Sequence, residues 1–281
     1  LQALEGYKYS TLKPEFSQLF DDTKIRIFEF EIIGMPDLEP EIEDKVKKEI
    51  FRRYNSGITP LNQSEVDNAK YDDDDMTEYY KNRLKNDHEI YDLVKNCFFA
   101  NKNKSQKELI VDMVTELRKL LVLDKIPISK YADSGKNLLI EMLYDKFVEE
   151  LGENGVCVEN IKEQLLDDIK TVRDIVKNGN NNVYECLIWA ISLLRHNDVT
   201  FSLYEQAEVI SKHYIGNYDK YDTDSDHYYG NIVARFQDTA SFFSELYGFN
   251  YEPYMKNSAF SREIKDMQQT EEDAELSMDK L

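Results

Sequence analysis

A chain of 281 residues with 41% hydrophobic and 32% charged side chains holds enough apolar material for one large core or two modest ones, which excludes disorder as the main state. Acidic residues outnumber basic ones 55 to 35, and the formal net charge of −20 disfavours broad, sequence-independent contact with nucleic-acid phosphates, though it leaves room for one local basic site. No apolar run approaches the roughly 20 residues of a membrane span and no basic-then-apolar leader stands at the N-terminus, so a cytoplasmic location is expected.

Residues 24–33, KIRIFEFEII, predict a strand. Ile25 and Ile27 share one face, Phe28, Phe30 and Ile32 follow in the opposite phase, and the switch implies a bulge or burial on both faces. A lone strand leaves its backbone groups unpaired, so partners are expected from residues before Leu1 or from another chain. After a turn at Gly34 to Pro36, Ile42, Val46, Ile50 and Tyr54 recur every fourth residue between charges, the pattern of an amphipathic helix over 41–54. It should stop at NSGITP, where Gly57 permits positive φ and Pro60 cannot continue a helix. Asn62 then resembles an N-cap, with Glu65 in the capping-box position three residues on.

From about residue 76 the pattern is helical throughout. One stripe runs through Ile110, Met113, Val114, Leu117 and Leu121, a second through Leu139, Met142, Leu143 and Phe147, and a third through Ile161, Leu165, Ile169, Val172 and Val176. Two more follow, at Leu187, Ile188, Ile191 and Leu194 and at Ile232, Val233, Phe236, Ala240 and Phe243. The breaks between them are polar or contain glycine, as in ANKNKSQ, SKYADSGK, GENGV, KNGNNN and YDTDSDHYYG. No fixed-period repeat recurs, which argues against a solenoid. Cys97, Cys157 and Cys186 are widely spaced among apolar helical positions and read as reduced core residues, because none belongs to a CxxC pair.

Most candidate sites have an ordinary explanation. Asp222, Asp224 and Asp226 alternate like the start of a calcium loop, but His227 stands where that loop needs glycine and Val233 where it needs a bidentate carboxylate, so a solvated loop is expected. Asp72 to Asp75 suit a helix N-terminus. His88, His196, His213 and His227 fall in no zinc-hydrolase, nucleophile-elbow or HNH-type pattern. The stretch FRRYNSGITPLNQSEVDNA, residues 51–69, differs in gathering guanidinium groups, a glycine turn, a new helix N-terminus and a carboxylate. Helix N-termini bind phosphate through free N–H groups, Arg adds a bidentate clamp, and Asn and Glu offer the oxygen ligands Mg²⁺ prefers. Ordinary capping and turn chemistry accounts for the same residues.

The order Phe51, Asn55, Gly57, Leu61, Glu65, Asn68, Ala69 resembles the second signature of the GmrSD-type family, the domain of unknown function numbered 262. YKYSTLKPEF and the 24–33 strand likewise resemble the segment that family places between its two signatures, so the motif-level likeness covers about residues 4 to 71. The family's first signature, Asp-Gly-Gln-Gln-Arg, is absent from the chain, whose one Gln-Gln pair, Gln268 and Gln269, is followed by Thr270. The missing signature is expected upstream of Leu1. More loosely, Asn55, Leu61, Glu65 and Ala69 are spaced like a ParB box.

The resemblance implies an α+β, mostly α chain: residues 1–71 the C-terminal part of a small ParB/sulfiredoxin-like mixed-sheet lobe that binds nucleotide, 72–270 a large multi-helix lobe, and 271–281 an acidic tail. It implies a nucleoside triphosphate and Mg²⁺ as cofactors. The nucleotide would lie at Arg52, Arg53, Asn55, Ser56 and Gly57, with Arg52 or Arg53 clamping phosphate, and the metal at Asn55 and Glu65. Family members are typically prokaryotic anti-phage restriction proteins, which implies an NTPase-linked defence component and leaves open whether modified DNA is cut or only sensed. DNA, a nuclease subunit and a second copy of the chain all stay open as partners. Lys45, Lys47, Lys48, Arg52 and Arg53, and Lys102, Lys104 and Lys107, are the modest basic clusters available to DNA. The other reading is a non-catalytic helical adaptor in which 51–69 is only a structural junction.

Overall fold

The computed structural model describes residues 70–71, 74–154 and 158–256, with Lys13, Phe16, Val46, Lys47 and Ile50 as single positions. The chain divides into two compact units, residues 1–57 and 58–281. In the first, Val46, Lys47 and Ile50 are helical, the two apolar residues half-buried and Lys47 exposed, as the fourth-residue spacing predicts. The strand expected over 24–33 lies outside the described residues. Among those described there is no strand, and the mostly α character stands.

The second unit opens with α1 (Asp75–Asn86) and α2 (His88–Phe98), separated by Asp87 alone. The Asp74 side chain accepts from the Met76 and Thr77 amides, which bears out the cap read at the aspartate run. Its second role was not legible, for the Asp74 carboxylate also accepts a hydrogen bond from the phenol of Tyr144, seventy residues away. Asp87 closes α1 through its amide to the Arg83 carbonyl and opens α2 by accepting from the Glu89 and Ile90 amides. One residue thereby satisfies groups at two helix ends.

After the ANKNKSQ break, Ser105 and Glu108 form a reciprocal capping box that starts α3 (Gln106–Val122). A 3₁₀ turn (Leu123–Lys125) and the single-turn α4 (Ile128–Tyr131) lead to α5 (Lys136–Asn154) and α6 (Val158–Ile175). Asn180 caps α7 (Asn181–His196), which is followed by α8 (Ala207–Gly216), α9 (Tyr229–Tyr247) and the short α10 (Glu252–Lys256). The expected stripes face inward: Met113, Val114 and Leu117 on α3, Leu139 and Leu143 on α5, Ile169 and Val172 on α6, and Phe236 and Phe243 on α9 are all buried.

α7 corrects the single stripe expected of it. Every residue from Asn182 to Ile191 is buried, and the helix packs against α2, α3, α6 and α9. A helix apolar on all sides belongs at the centre of a bundle. Trp189, the only tryptophan, lies there edge-on to Phe236 at 5.1 Å between ring centroids and tilted against Tyr251 at 5.5 Å. Fully burying a side chain of this size contributes about 1.5–3 kcal/mol. Cys97 and Cys186 are buried free thiols, as read from their spacing; burial pushes the Cys97 thiol up to about 12.

Candidate functional site

A central helix crowded on every side should carry no charge, yet α7 carries Glu185. A buried carboxylate is tolerated when it is paired and hydrogen-bonded, and Glu185 is both. Lys119 on α3 lies 2.6 Å from its Oε1, the phenol of Tyr131 on α4 donates to the same oxygen, and Arg235 on α9 stands 3.5 Å from Oε2. Lys119 also reaches Glu116, one helical turn back, at 2.6 Å. Arg235 is fixed in turn by donating to the Asp226 carbonyl at 2.6 Å, while its Nε finds no partner. Lys136, at the start of α5, holds its ammonium 4.9 Å above the Tyr131 ring. Four helices thus meet at one carboxylate, and a fifth, α5, brings Lys136 against the Tyr131 ring beside it.

The electrostatics follow from this geometry. Burial opposes the charge on Glu185, but Lys119 and Arg235 outweigh it and its pKa falls below the usual carboxylate range. Burial likewise opposes the Lys119 ammonium, and Glu116 and Glu185 more than compensate, so Lys119 stays charged above the ordinary lysine range. Burial raises Glu116, with Lys119 acting the other way. Lys136 moves down, first through burial and then through the neighbouring cations Lys119 and Arg235, with Glu185 acting against them. Strongly shifted groups clustered in one place mark candidate functional sites, although structural ion networks shift pKa values as well.

Three carboxylate–histidine pairs lie elsewhere among the described residues, one of them a 3.6 Å contact between the chain neighbours Asp226 and His227. His196, at the end of α7 and 56% exposed, bonds through Nδ1 to Asp124, which is 2% exposed and whose other oxygen has no partner. That bond raises the His196 pKa despite partial burial. His213 on α8 bonds Asp238 on α9 at 2.8 Å and stacks on Phe242. Asp238 also receives Lys220 and the Tyr221 phenol, and Tyr221 and Tyr214 both share the hydroxyl of Thr239. Where α1 meets α2, an open groove of about 700 Å³ is lined by Tyr79, Arg83, Asp87 and His88 among others. Arg83 pairs there with Asp87 and Glu163, and Asp87 also caps α2.

Arg52, Arg53, Asn55, Ser56, Gly57 and Glu65 lie outside the described residues. In the aspartate-rich loop, the Asp226 carboxylate accepts from Asn182 and its carbonyl from Arg235. Among the described residues no group of three histidines, cysteines or carboxylates could hold a metal ion. No described helix is long and apolar enough to cross a membrane. The Glu185 network was missed in the sequence, though it left a signal: Glu185 interrupts the apolar run from Val183 to Ile191 except for itself, and Arg235 adjoins the buried Phe236. Comparison with protein-family models, with curated proteins and with solved structures gave no match in any of the three.

Proposed function

We propose that this chain is the nucleotide-binding, NTPase-linked component of a prokaryotic anti-phage restriction system that acts on or senses modified DNA. The observation that carries the reading is the ordered spacing from Phe51 through Asn55, Gly57, Leu61 and Glu65 to Ala69. The helix start that the sequence predicts at Asn62 would supply N–H groups for a triphosphate, and Arg52 and Arg53 guanidinium groups. Asn55 and Glu65 supply oxygen donors suited to Mg²⁺. Ser56 and Gly57, where the sequence predicts a turn, would allow close approach of the backbone to phosphate. The test is calorimetric titration of the full gene product with Mg·ATP and Mg·GTP. Asn55→Ala and Glu65→Gln should each weaken binding at least tenfold while leaving the unfolding midpoint nearly unchanged, since loss of a cap alone costs only about 0.5–2 kcal/mol. Unchanged affinity in both variants would remove these residues from the site.

A non-catalytic helical adaptor is the second reading. Exposed Tyr204, Val209, Ile215, Tyr228 and Tyr229 on the helical unit favour it, because aromatic and aliphatic side chains are enriched where proteins meet partners. On this reading the gene product binds neither nucleotide, and Glu65→Gln acts on stability alone.

A further inference from the structure

Exposed apolar side chains are concentrated in one stretch of the helical unit. Of the eight large apolar and aromatic residues exposed among those described, six fall between 204 and 229: Tyr204, Val209, Ile215, Tyr218, Tyr228 and Tyr229. The last four stand where α8 ends, the chain loops and α9 begins. That loop is pinned to two helices. Asn180 and Asn182, at the start of α7, donate to the Tyr221 carbonyl at 2.9 and 2.8 Å. Asn231 on α9 donates to the Ser225 carbonyl at 2.8 Å, and Arg235 to the Asp226 carbonyl at 2.6 Å. The Tyr221 ring is buried, its phenol on Asp238 and Thr239 of α9, and His213 ties α8 to the same Asp238. The backbone beneath the exposed tyrosines is therefore held before any partner arrives, which lowers the ordering cost of binding.

The charge of this stretch is one-sided. Lys212 is neutralised by Glu208 and Lys220 by Asp238, and His227 lies 3.6 Å from Asp226. Exposed Glu205, Asp219, Asp222 and Asp224 have no cation within ion-pairing distance among the described residues. Unpaired carboxylates are common in a chain of net charge −20; their coincidence with exposed tyrosines distinguishes this surface. Tyrosine faces attract cations, and the planar guanidinium of arginine stacks on them better than an ammonium does. Carboxylates pair with the same guanidinium. Both features select one chemistry.

We propose that the surface formed by the end of α8, the loop and the start of α9 docks an arginine-bearing segment of a partner protein. Arginine side chains stack on Tyr218, Tyr228 and Tyr229 and pair with Asp219, Asp222 and Asp224, while Ile215 covers apolar portions of the segment. Nucleic acid is repelled by the same carboxylates, and two copies of the chain meeting through this face would set like charge against like. The surface stands apart from 51–69, so it holds whether or not nucleotide binds there, and on the adaptor reading it supplies the class of partner.

The test is fluorescence anisotropy of labelled deca-arginine titrated with the full chain at physiological ionic strength. Tyr228→Ser combined with Tyr229→Ser leaves the net charge unchanged and should weaken binding about tenfold, as loss of a hot spot does. Asp222→Asn combined with Asp224→Asn should weaken it about fivefold, the summed effect of two exposed ion pairs. Removing two charges elsewhere, by Glu89→Gln with Asp92→Asn on α2, should change it less than about twofold, because distant exposed charges are screened. All six positions are exposed, so the far-UV circular dichroism of each variant should match that of the wild type. Failure of the wild-type chain to bind deca-arginine, a tyrosine variant that keeps its affinity, or an equal loss from the α2 pair would overturn the proposal. So would a concentration-dependent dimer in sedimentation equilibrium that the tyrosine substitutions abolish, since the surface would then belong to a second copy.

Discussion

At the scale of single residues, the helical unit is organised around a charge at its centre. Glu185 accepts from Lys119 and Tyr131 and faces Arg235, so removing it leaves the buried Arg235 without its carboxylate and Lys119 with Glu116 alone. Breaking a buried pair in this way costs about 3–5 kcal/mol. Glu185→Ala is therefore expected to lose that much stability in urea titrations followed by Trp189 fluorescence, and a loss below about 1 kcal/mol would mean that the network reorganises freely. The Asp124–His196 pair makes a separate, pH-dependent prediction. Because the folded-state pKa of His196 is raised, its contribution is fully present below the ordinary histidine value of about 6.5 and disappears as pH rises through the higher folded value. Stability should fall over that window in the wild type and lose this slope in Asp124→Asn. An identical slope in the variant would show that another group titrates.

Single elements carry predictions of their own. Asp87→Ala removes the cap of α2 and the ion pair with Arg83 at 3.3 Å, and should cost about 1 kcal/mol, within the usual range for caps. Gly248 ends α9 with φ of 70° and its amide on the Ser244 carbonyl. Gly248→Ala should cost about 1–2 kcal/mol, because a Cβ disfavours the left-handed region, even though nothing lies within 4 Å of where that Cβ would stand. Thermal melts of both variants check these values. Elements of this kind were legible in the sequence. The spacing of Met113, Val114 and Leu117 gave α3, KNGNNN gave the break before α7, and the aspartate run gave the cap of α1. Each of these depends on neighbours within a turn or two of helix. The Glu185 network was illegible for the complementary reason. Lys119, Tyr131, Lys136, Glu185 and Arg235 come together through packing of five elements, and no local period records which charged residues will meet. Burial of every residue from Asn182 to Ile191 on α7 was hidden likewise, since helical periodicity reports a face and not the number of neighbours around it. Of the candidate site at 51–69, its residue types and spacing were legible and nothing in the described residues adds to them.

For the whole molecule, charge sets the terms of any contact with DNA. With a net charge of −20, duplex binding needs a confined basic surface and should weaken steeply with added salt. In the cluster of Lys102, Lys104 and Lys107, Lys104 is already paired with Asp112 at 2.6 Å. The helical unit supplies a packed centre, exposed tyrosines and a buried ion network, while the proposed nucleotide chemistry belongs to 51–69. Hydrogen–deuterium exchange of the full gene product, with and without saturating Mg·ATP or Mg·GTP, tests that division most directly. Phosphate held by helix N-terminal amides slows their exchange, so one of the nucleotides should protect peptides covering residues 51–69. No protection from either nucleotide, or protection confined to residues 74–256, would contradict it.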